Sequence, residues 1–262
     1  MQIVGYATIM PLYCALHLYS SPLFANTSPG NESRTSGTQP RSQALFSPQV
    51  IIPAFSLGYL LPTLLMAWPV SSPALHQWLG ALWQGFPLHV SLYQHLFARL
   101  TTSSETKARS GGRKPQSQVL TGAYRWAFRV ACATQLITYA VILGAKMFRS
   151  GFLPLWMKEV STFSAVFSPG PFHSNNTQTS MADAMHDFFK WDQYVGSAAL
   201  LAWAIALEMA TEGSKMSGKY CLSLGWDILR WTLVAGPAGA VMRLRERQEK
   251  ITALQSGGSR QH

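Results

Sequence analysis

The stretch that decides the fold runs from Trp191 to Met209 and reads WDQYVGSAALLAWAIALEM. It is long and apolar enough to cross a membrane as a single helix. It also carries a carboxylate near each end, Asp192 and Glu208. Because a bilayer penalises ionised groups, acids that bracket a membrane helix indicate a functional site by default. These two acids therefore either take part in chemistry or mark the ends of the helix.

The composition of the 262-residue chain favours a membrane protein over a soluble one. Charged residues make up only 12%, and aromatic residues also reach 12% and include 9 tryptophans. That charged share is about half of the share usual in a soluble domain. The net charge is +10, but the cations cluster beside the apolar blocks, where membrane orientation and anionic headgroups select for them. The distribution indicates contact with membrane lipids and argues against a nucleic-acid partner.

Apolar blocks recur along the chain and predict an all-α, polytopic membrane helix bundle of about six or seven transmembrane helices. If the basic loop 101–121 is cytoplasmic, three further crossings place the basic C-terminus on the opposite side. An extra crossing within 146–167 would reconcile the charges, so the topology stays open. The predicted bundle covers residues 1–242, and a basic, disordered tail follows at 243–262. Within the bundle, helices are predicted at about 3–19, 50–68, 75–100, 123–145, 192–210 and 222–242. Polar loops are predicted at 20–49, 101–121 and 146–190.

Motifs of several enzyme classes are absent from the sequence. It contains no P-loop, no GxGxxG, no HExxH and no GxSxG. No two aspartates are adjacent, which leaves metal-dependent ionisation of a diphosphate unsupported. Cys14, Cys132 and Cys221 have no CxxC spacing and predict buried thiols rather than disulfides or a zinc site. The sequence therefore predicts chemistry without a metal or another cofactor.

Helical geometry separates the two acids of the opening stretch. At about 100° per residue, Gly196, Ala199 and Trp203 lie within about 40° of Asp192, so one face combines an acid, small residues and an aromatic ring. Glu208 lies roughly 160° around the helix and about 24 Å along its axis, so the two acids do not serve one reacting centre. The small residues predict either close packing against another helix or the wall of a substrate cavity.

Asp192 is the candidate general acid. A carboxyl group in apolar surroundings can stay protonated at neutral pH and can pass its proton to an epoxide or an alkene on a lipid-like substrate. The resulting carbocation needs shelter from water and aromatic faces, which Trp191, Tyr194 and Trp203 provide. In the alternative interpretation, Asp192 stands at the start of its helix, complements the helix dipole and caps free amides.

Two further acids are weaker candidates for the same role. Glu208 lies at the helix end and is predicted to be an interface residue. Asp227 precedes Arg230 by three residues, a spacing that predicts an ion pair on one helix face. Both are therefore interpreted first as structural residues and second as alternatives to Asp192.

The third apolar block, 75–100, is unusual in its polar residues. His89 and Tyr93 share a helix face with Phe86. The face is either a hydrogen-bonded interior stripe or a pocket wall. In the second case, His89 and Tyr93 are substrate-binding candidates.

Four phrases of the sequence together resemble a known enzyme family. They are MPLYCALHLYSSP (Met10–Pro22), GYLLPTLLMAWP (Gly58–Pro69), HQWLGALWQGFPLHVSL (His76–Leu92) and FFKWDQYVG (Phe188–Gly196). In this order they are similar to the fungal membrane-bound terpene cyclases of meroterpenoid pathways, of the ascochlorin and macrophorin type. The resemblance covers most of the chain from Met10 to about Trp203.

The resemblance implies a polytopic enzyme of the endoplasmic reticulum that serves secondary metabolism. Such enzymes cyclise a farnesyl-type chain attached to a polyketide-derived ring, often after terminal epoxidation, by protonation and without a metal. The Trp-Asp pair of the family phrase falls on Trp191 and Asp192. In this chain Lys190 precedes the pair, where a neutral polar residue is expected, and a neighbouring cation favours the ionised form of a carboxyl group.

Two function hypotheses follow from the sequence. In the first, the chain is an integral membrane terpene cyclase that acts on a lipid-like prenylated small molecule, alongside other membrane enzymes of its pathway. In the second, it is a non-catalytic membrane protein that scaffolds or carries lipid-like intermediates. An Asp192→Asn variant tests the acid assignment, and the absence of product from the wild-type protein would favour the second hypothesis.

Overall fold

Every regular element in the described part of the chain is a helix. The computed structural model describes residues 5–20, 47–68, 70–105, 116–147, 161–170, 181–212 and 217–258. For these residues the prediction of an all-α fold is confirmed. Three helical segments among them are long and apolar enough to cross a membrane: Gln49–Ala67, Thr121–Met147 and Asp183–Thr211. The remaining spans of the predicted bundle are not shown.

The helices fall into two compact units, which are described separately. One unit comprises Met1–Gln2, Ser28–Trp126 and Glu249–His262, and the other comprises Ile3–Thr27 and Ala127–Gln248. In chain order the helices are α1 (Tyr6–Ser20), α2 (Pro48–Phe55), a π-helical turn (Ser56–Leu60), α3 (Leu61–Ala67), α4 (Pro73–Gln84), α5 (Phe86–Glu105), α6 (Gln116–Met147), α7 (Phe163–Phe167), α8 (Met181–Glu212) and α9 (Gly218–Gly258).

In the first unit, the predicted helix 50–68 is present as α2, the π-helical turn and α3 in succession. The turn accommodates Pro62, whose missing N–H cannot serve the carbonyl four residues earlier. The N–H of Leu61 bonds instead to the carbonyl of Ser56, five residues back. This segment packs tightly on α5, because a Cβ added at Gly58 would lie 2.7 Å from the backbone nitrogen of Val90.

The predicted helix 75–100 is two helices rather than one. It breaks at Gly85, where α4 ends and α5 begins. The break follows from the Phe86-Pro87 pair, because proline is tolerated in the first turn of a helix but not in its interior. The Nε1 atom of Trp83 donates a 3.0 Å hydrogen bond to Oγ1 of Thr63, which ties α4 to α3.

The predicted polar loops are shorter than expected. The loop 101–121 is helical at both described ends, up to Glu105 and from Gln116. Most of the loop 20–49 lies outside the described residues, as do residues 148–160 and 171–180 of the loop 146–190. Within the latter loop, α7 is a short helix, and α8 begins at Met181, well before the predicted start at 192. The polar segment before Trp191 has no glycine or proline, so the helix extends through it.

In the second unit, α1 and α8 run parallel and in close contact. Tyr6 contacts Asp192 and Gly196 near one end of the shared seam, and His17 contacts Trp203 at the other. The two helices thus advance together over about three turns. Of the predicted helix 3–19, the structure describes residues 6–20 as α1.

The helix predicted at 222–242 is interrupted, and the tail predicted to be disordered is helical. At Gly236 the backbone adopts φ 69° and ψ 173°, and the chain then continues as a helix from Pro237 to Gly258 within α9. Positive φ suits glycine, which lacks a Cβ. Beyond the break, Leu244 is 5% exposed and packs with Val241, Leu224 and Ala204. The segment after the break is therefore packed through apolar residues at helical spacing, although its many arginines had predicted a solvated tail.

Candidate functional site

Asp192 binds the N-terminus of another helix. Its Oδ2 atom accepts a 3.0 Å hydrogen bond from the backbone N–H of Tyr6, and its Oδ1 atom accepts one of 2.7 Å from the N–H of Ala7. Free amides at a helix start are the usual partners of a capping carboxylate, and the helix dipole adds to the attraction. The sequence predicted that Asp192 stands at the start of its own helix. This prediction is wrong, because α8 starts at Met181. It caps α1 instead.

Lys190, which precedes the Trp-Asp pair, is directed to other partners. Its Nζ atom donates to the backbone carbonyl of Ser168 at 3.2 Å and to Oδ1 of Asp187 at 3.3 Å. Asp187 is one helical turn back along α8, so the pair is an i,i+3 ion pair. The cation that sequence reasoning placed against Asp192 is thus engaged elsewhere.

The small-residue face of α8 is used for packing at Gly196. A Cβ added at Gly196 would lie 2.0 Å from Cδ1 of Tyr6, so only glycine permits this approach of α1. Ser197, the next residue, is 6% exposed and accepts a 3.2 Å hydrogen bond from Nε2 of Gln193. Of the two predicted uses of this face, the structure has close packing at the position nearest to Asp192.

Two of the three aromatic residues expected around the acid bind the segment that contains and follows α7, and the third lies elsewhere. The Nε1 atom of Trp191 donates to the carbonyl of Gly170 at 3.0 Å, and the hydroxyl of Tyr194 donates to the carbonyl of Phe167 at the end of α7. Trp203 lies against α1 and α9. Its Nε1 atom donates to Nδ1 of His17 at 3.2 Å, and the guanidinium of Arg245 lies 5.3 Å from its ring centroid.

Glu208 is the centre of a buried polar network that sequence reasoning missed. Its side chain is 0% exposed, and Oε1 accepts a 2.9 Å hydrogen bond from the hydroxyl of Tyr220. The same oxygen lies 3.3 Å from Nε of Arg247, while Oε2 has no hydrogen-bond partner among the described residues. The predicted interface role of Glu208 agrees with this geometry, but its partner Arg247 lies in the predicted tail. No signal in the sequence linked the two.

Asp227 forms the ion pair expected from its spacing. Its Oδ1 atom lies 2.8 Å from NH2 of Arg230, and both side chains are partly exposed. His89 and Tyr93 belong to the first unit, where both are half-buried on α5. Tyr93 stacks on Phe97, with ring centroids 6.0 Å apart and planes 17° apart.

Comparison with known proteins gives the chain its family. The CtvD domain matches residues 1–252. The chain belongs to the CtvD domain family. The family resemblance seen in four sequence phrases is thereby confirmed. Within the described residues, no group of three or more His, Cys, Asp or Glu side chains is arranged to hold a metal ion.

Curated relatives from fungi share the name terpene cyclase. The chain is 27% identical to terpene cyclase ascI of Acremonium egyptiacum over 97% of this chain and 62% of the relative. It is 29% identical to terpene cyclase ctvD of Aspergillus terreus over 93% of this chain and 63% of the relative. It is 27% identical to terpene cyclase verU1 of Penicillium polonicum over 92% of this chain and 59% of the relative. The chain thus spans less than two thirds of the length of these relatives, and no solved structure matches it.

Two residues of α1 that sequence reasoning did not single out contact the candidate residues of α8. The matched region contains α1, which carries Tyr6 and His17, and α8, which carries Asp192 and Trp203. Tyr6 and His17 were not candidates because neither belongs to a catalytic motif. Their contacts with Asp192 and Trp203 join residues far apart in the sequence, and one sequence without relatives holds no signal for such pairs.

Proposed function

We propose that this chain is an integral membrane terpene cyclase of secondary metabolism that cyclises a farnesyl-type chain on a prenylated aromatic or polyketide ring. The observation that carries the proposal is membership of the CtvD family, with three relatives that are all named terpene cyclases. The three apolar helical segments of spanning length support a multi-pass location, which we propose to be the endoplasmic reticulum. Membrane lipids and other membrane enzymes of the same pathway are the proposed partners.

The proposed chemistry starts with a proton and needs no metal. A carboxyl group donates its hydrogen to the oxygen of a terminal epoxide or to a terminal alkene, and a carbocation forms at the adjacent carbon. New bonds within the chain close the rings, and the last cation loses a proton. The product is therefore an isomer of the substrate. Aromatic faces stabilise the cation, and exclusion of water protects it.

Asp192 is the proposed donor, with Trp191, Tyr194 and Trp203 beside it on α8. In the structure each of its two oxygens accepts a backbone hydrogen bond from α1. A donor role therefore requires that the substrate displace at least one amide of α1 from the acid. The position of Lys190 supports the proposal, because its ammonium group binds Asp187 and is not directed at Asp192. His89 and Tyr93 are proposed as a second substrate-contacting face in the first unit.

A second function is favoured by the same contacts. Asp192 and the three aromatic residues each hold a neighbouring segment in place, as expected for structural residues. The alternative proposal is a membrane scaffold or carrier of lipid-like intermediates. It predicts that these residues matter for folding and for nothing else.

One experiment separates the two proposals. Wild-type protein and the variants Asp192→Asn and Asp192→Ala are produced in a host that is fed an epoxyfarnesyl resorcinol, and cyclised product is quantified. Asparagine still accepts an amide hydrogen bond and caps well, but it is not an acid. We expect Asp192→Asn to fold as the wild type and to lose about a hundredfold or more in rate.

Other outcomes lead to different conclusions. Full activity in Asp192→Asn with loss only in Asp192→Ala would assign the residue to capping and end its role as the acid. Glu208→Gln and Asp227→Asn, measured alongside, then show whether another acid takes its place. A folded, membrane-inserted wild-type protein that forms no product would favour the scaffold.

A further inference from the structure

The chain at the end of α7 is held against α8 through its backbone carbonyls. Residues 167–170, which we call the strap, accept hydrogen bonds from three side chains of α8. The donor and acceptor residues are Tyr194 and Phe167, Lys190 and Ser168 at 3.2 Å, and Trp191 and Gly170 at 3.0 Å. Because these bonds reach backbone atoms, they fix the path of the strap.

The residues that contact the strap form one face of α8. Asp187, Lys190, Trp191 and Tyr194 occupy positions i, i+3, i+4 and i+7, which share a helix face. Asp187 completes the contact, because a Cβ added at Gly170 would lie 2.6 Å from its Oδ2 atom. An alanine in the strap at this position would therefore have to displace the carboxylate.

Lys190 is unusually buried for its residue type. Its side chain is only 12% exposed, and lysine is rarely buried without a partner because its ammonium group loses hydration. The ammonium group has two partners here, the carboxylate of Asp187 at 3.3 Å and the carbonyl of Ser168. A buried ion pair contributes little net stability, because desolvation offsets the attraction. A role in placing the strap accounts for the buried charge better.

The strap binds two aromatic side chains at their polar tips and leaves their rings accessible. Tyr194 is 46% exposed although its hydroxyl is bound, and Trp191 is half-buried. An aromatic ring attracts a cation to its face, whereas its edge is positive. By holding each ring at its polar tip, the strap sets the direction of the face.

We propose that Lys190 is a positioning residue for the cyclisation, because it holds the strap that orients the rings of Trp191 and Tyr194. The inference rests on the proposed function, in which these rings stabilise the carbocation. A misdirected ring stabilises the later cations less well. Those cations then lose a proton early and leave isomers with fewer rings and more double bonds.

Indole N–H signals test the strap without any substrate. Lys190→Met keeps the length of the side chain and removes the ammonium group, while Lys190→Arg keeps the charge and the donors. Gly170→Ala disturbs the same contact from the strap. Lys219→Met is the control, because Lys219 is exposed at the start of α9. The full chain is labelled with ¹⁵N-tryptophan in detergent, and two signals are assigned by their loss in Trp191→Phe and Trp203→Phe.

We expect the indole hydrogen of Trp191 to exchange with solvent about tenfold faster in Lys190→Met, the factor that corresponds to one ordinary hydrogen bond. Gly170→Ala should act in the same direction. Trp203 is the reference in the same spectrum, because its indole binds His17 and not the strap. Lys190→Arg and the control should keep both signals of the wild type. A general loss of structure would change the Trp203 signal as well.

Product analysis then connects the strap with the reaction. The same variants are produced in the host that is fed the epoxyfarnesyl resorcinol, and the share of products with fewer rings is measured. We expect this share to rise several-fold in Lys190→Met and to return towards the wild-type value in Lys190→Arg. A purely structural Lys190 predicts a lower total yield with an unchanged product pattern.

Three outcomes would overturn the inference: an unchanged Trp191 signal in Lys190→Met and Gly170→Ala, equal changes at Trp191 and Trp203, or an unchanged product pattern. Failure of the proposed function is a separate result. The Trp191 signal would then respond as expected in the variants, while the wild type forms no cyclised product.

Discussion

The indole of Trp203 donates to His17 on α1, and this bond fixes the state of the imidazole. An indole nitrogen can only donate, so Nδ1 of His17, 3.2 Å away, must be the acceptor. A neutral His17 therefore carries its hydrogen on Nε2. The rings also meet edge-on, with centroids 5.3 Å apart, so Trp203 holds both the position and the tautomer of His17.

Trp203→Phe should remove the hydrogen bond and keep the ring. We expect a loss of about 0.5–1.5 kcal/mol in the free energy of unfolding, because one hydrogen bond is lost. We also expect the ¹⁵N spectrum of histidine-labelled protein to change from one tautomer to a mixture at His17. Trp226→Phe is the matched control, since Trp226 is 67% exposed. An unchanged histidine spectrum in Trp203→Phe would show that the bond does not set the tautomer.

Gly196→Ala should separate α1 from α8. The added methyl group would overlap the ring of Tyr6, and overpacking of this kind costs about 1–3 kcal/mol. Gly144→Ala on α6 is the control, because nothing lies within 4 Å of a Cβ there and alanine is the better helix former. Thermal unfolding in detergent should show a lower midpoint for the first variant and an equal or higher one for the second. Equal midpoints in the two variants would show that α1 and α8 are not closely packed at Gly196.

Tyr139→Phe should leave the carbonyl of Leu233 without its donor. The hydroxyl of Tyr139 on α6 donates a 2.9 Å hydrogen bond to that carbonyl, which Pro237, lacking an N–H, cannot serve. The contact is exposed, so the free energy of unfolding should fall by the value of one ordinary hydrogen bond, about 0.5–1.5 kcal/mol. Tyr13→Phe is the control, because Tyr13 is 53% exposed on α1. Equal stability of the two variants would contradict a role for Tyr139 in supporting the break.

Arg247→Leu should destabilise the protein by removing the cation that pairs with the buried Glu208 side chain. We expect a loss of about 1–3 kcal/mol, below the value for a fully buried pair, because Arg247 is 41% exposed. In a Glu208→Gln background the same substitution should cost less, because no uncompensated charge remains. Lys219→Leu is the control, since Lys219 is exposed at the start of α9. Additive effects in the double variant would rule out coupling of the two side chains.

The sequence was most informative where apolar blocks are continuous. The blocks at 50–68, 123–145 and 192–210 correspond to the three segments of spanning length in the structure. Helical arithmetic also put Gly196 on the face of Asp192, and both contact Tyr6. These features depend on local composition and on the period of a helix, and a single sequence contains both.

Prediction failed where a helix is set by long-range packing or by a single residue. The arginines around Leu244 suggested a solvated tail, yet their guanidinium groups cover aromatic rings such as those of Phe128 and Trp203 while Leu244 is buried. The helix breaks at Gly85 and Gly236 are each followed by a proline, Pro87 and Pro237, but glycine and proline are both tolerated inside membrane helices, so neither break was distinctive in the sequence. The capping of α1 by Asp192 spans the length of the chain, and no local pattern encodes it.

The parallel alignment of α1 and α8 sets a parity condition on the multi-pass topology proposed for the chain. Neighbouring helices that run in the same direction start on the same side, so the chain between them must return across the membrane an odd number of times. Between Ser20 and Met181 the described residues contain two segments that meet the length and apolarity of a span. After two crossings, the chain would be on the side of the bilayer where α1 ends, not on the side where α8 must begin. With α1 and α8 both in the bilayer, a third crossing is required between them, and α5, about 30 Å long, is the remaining described helix of sufficient length.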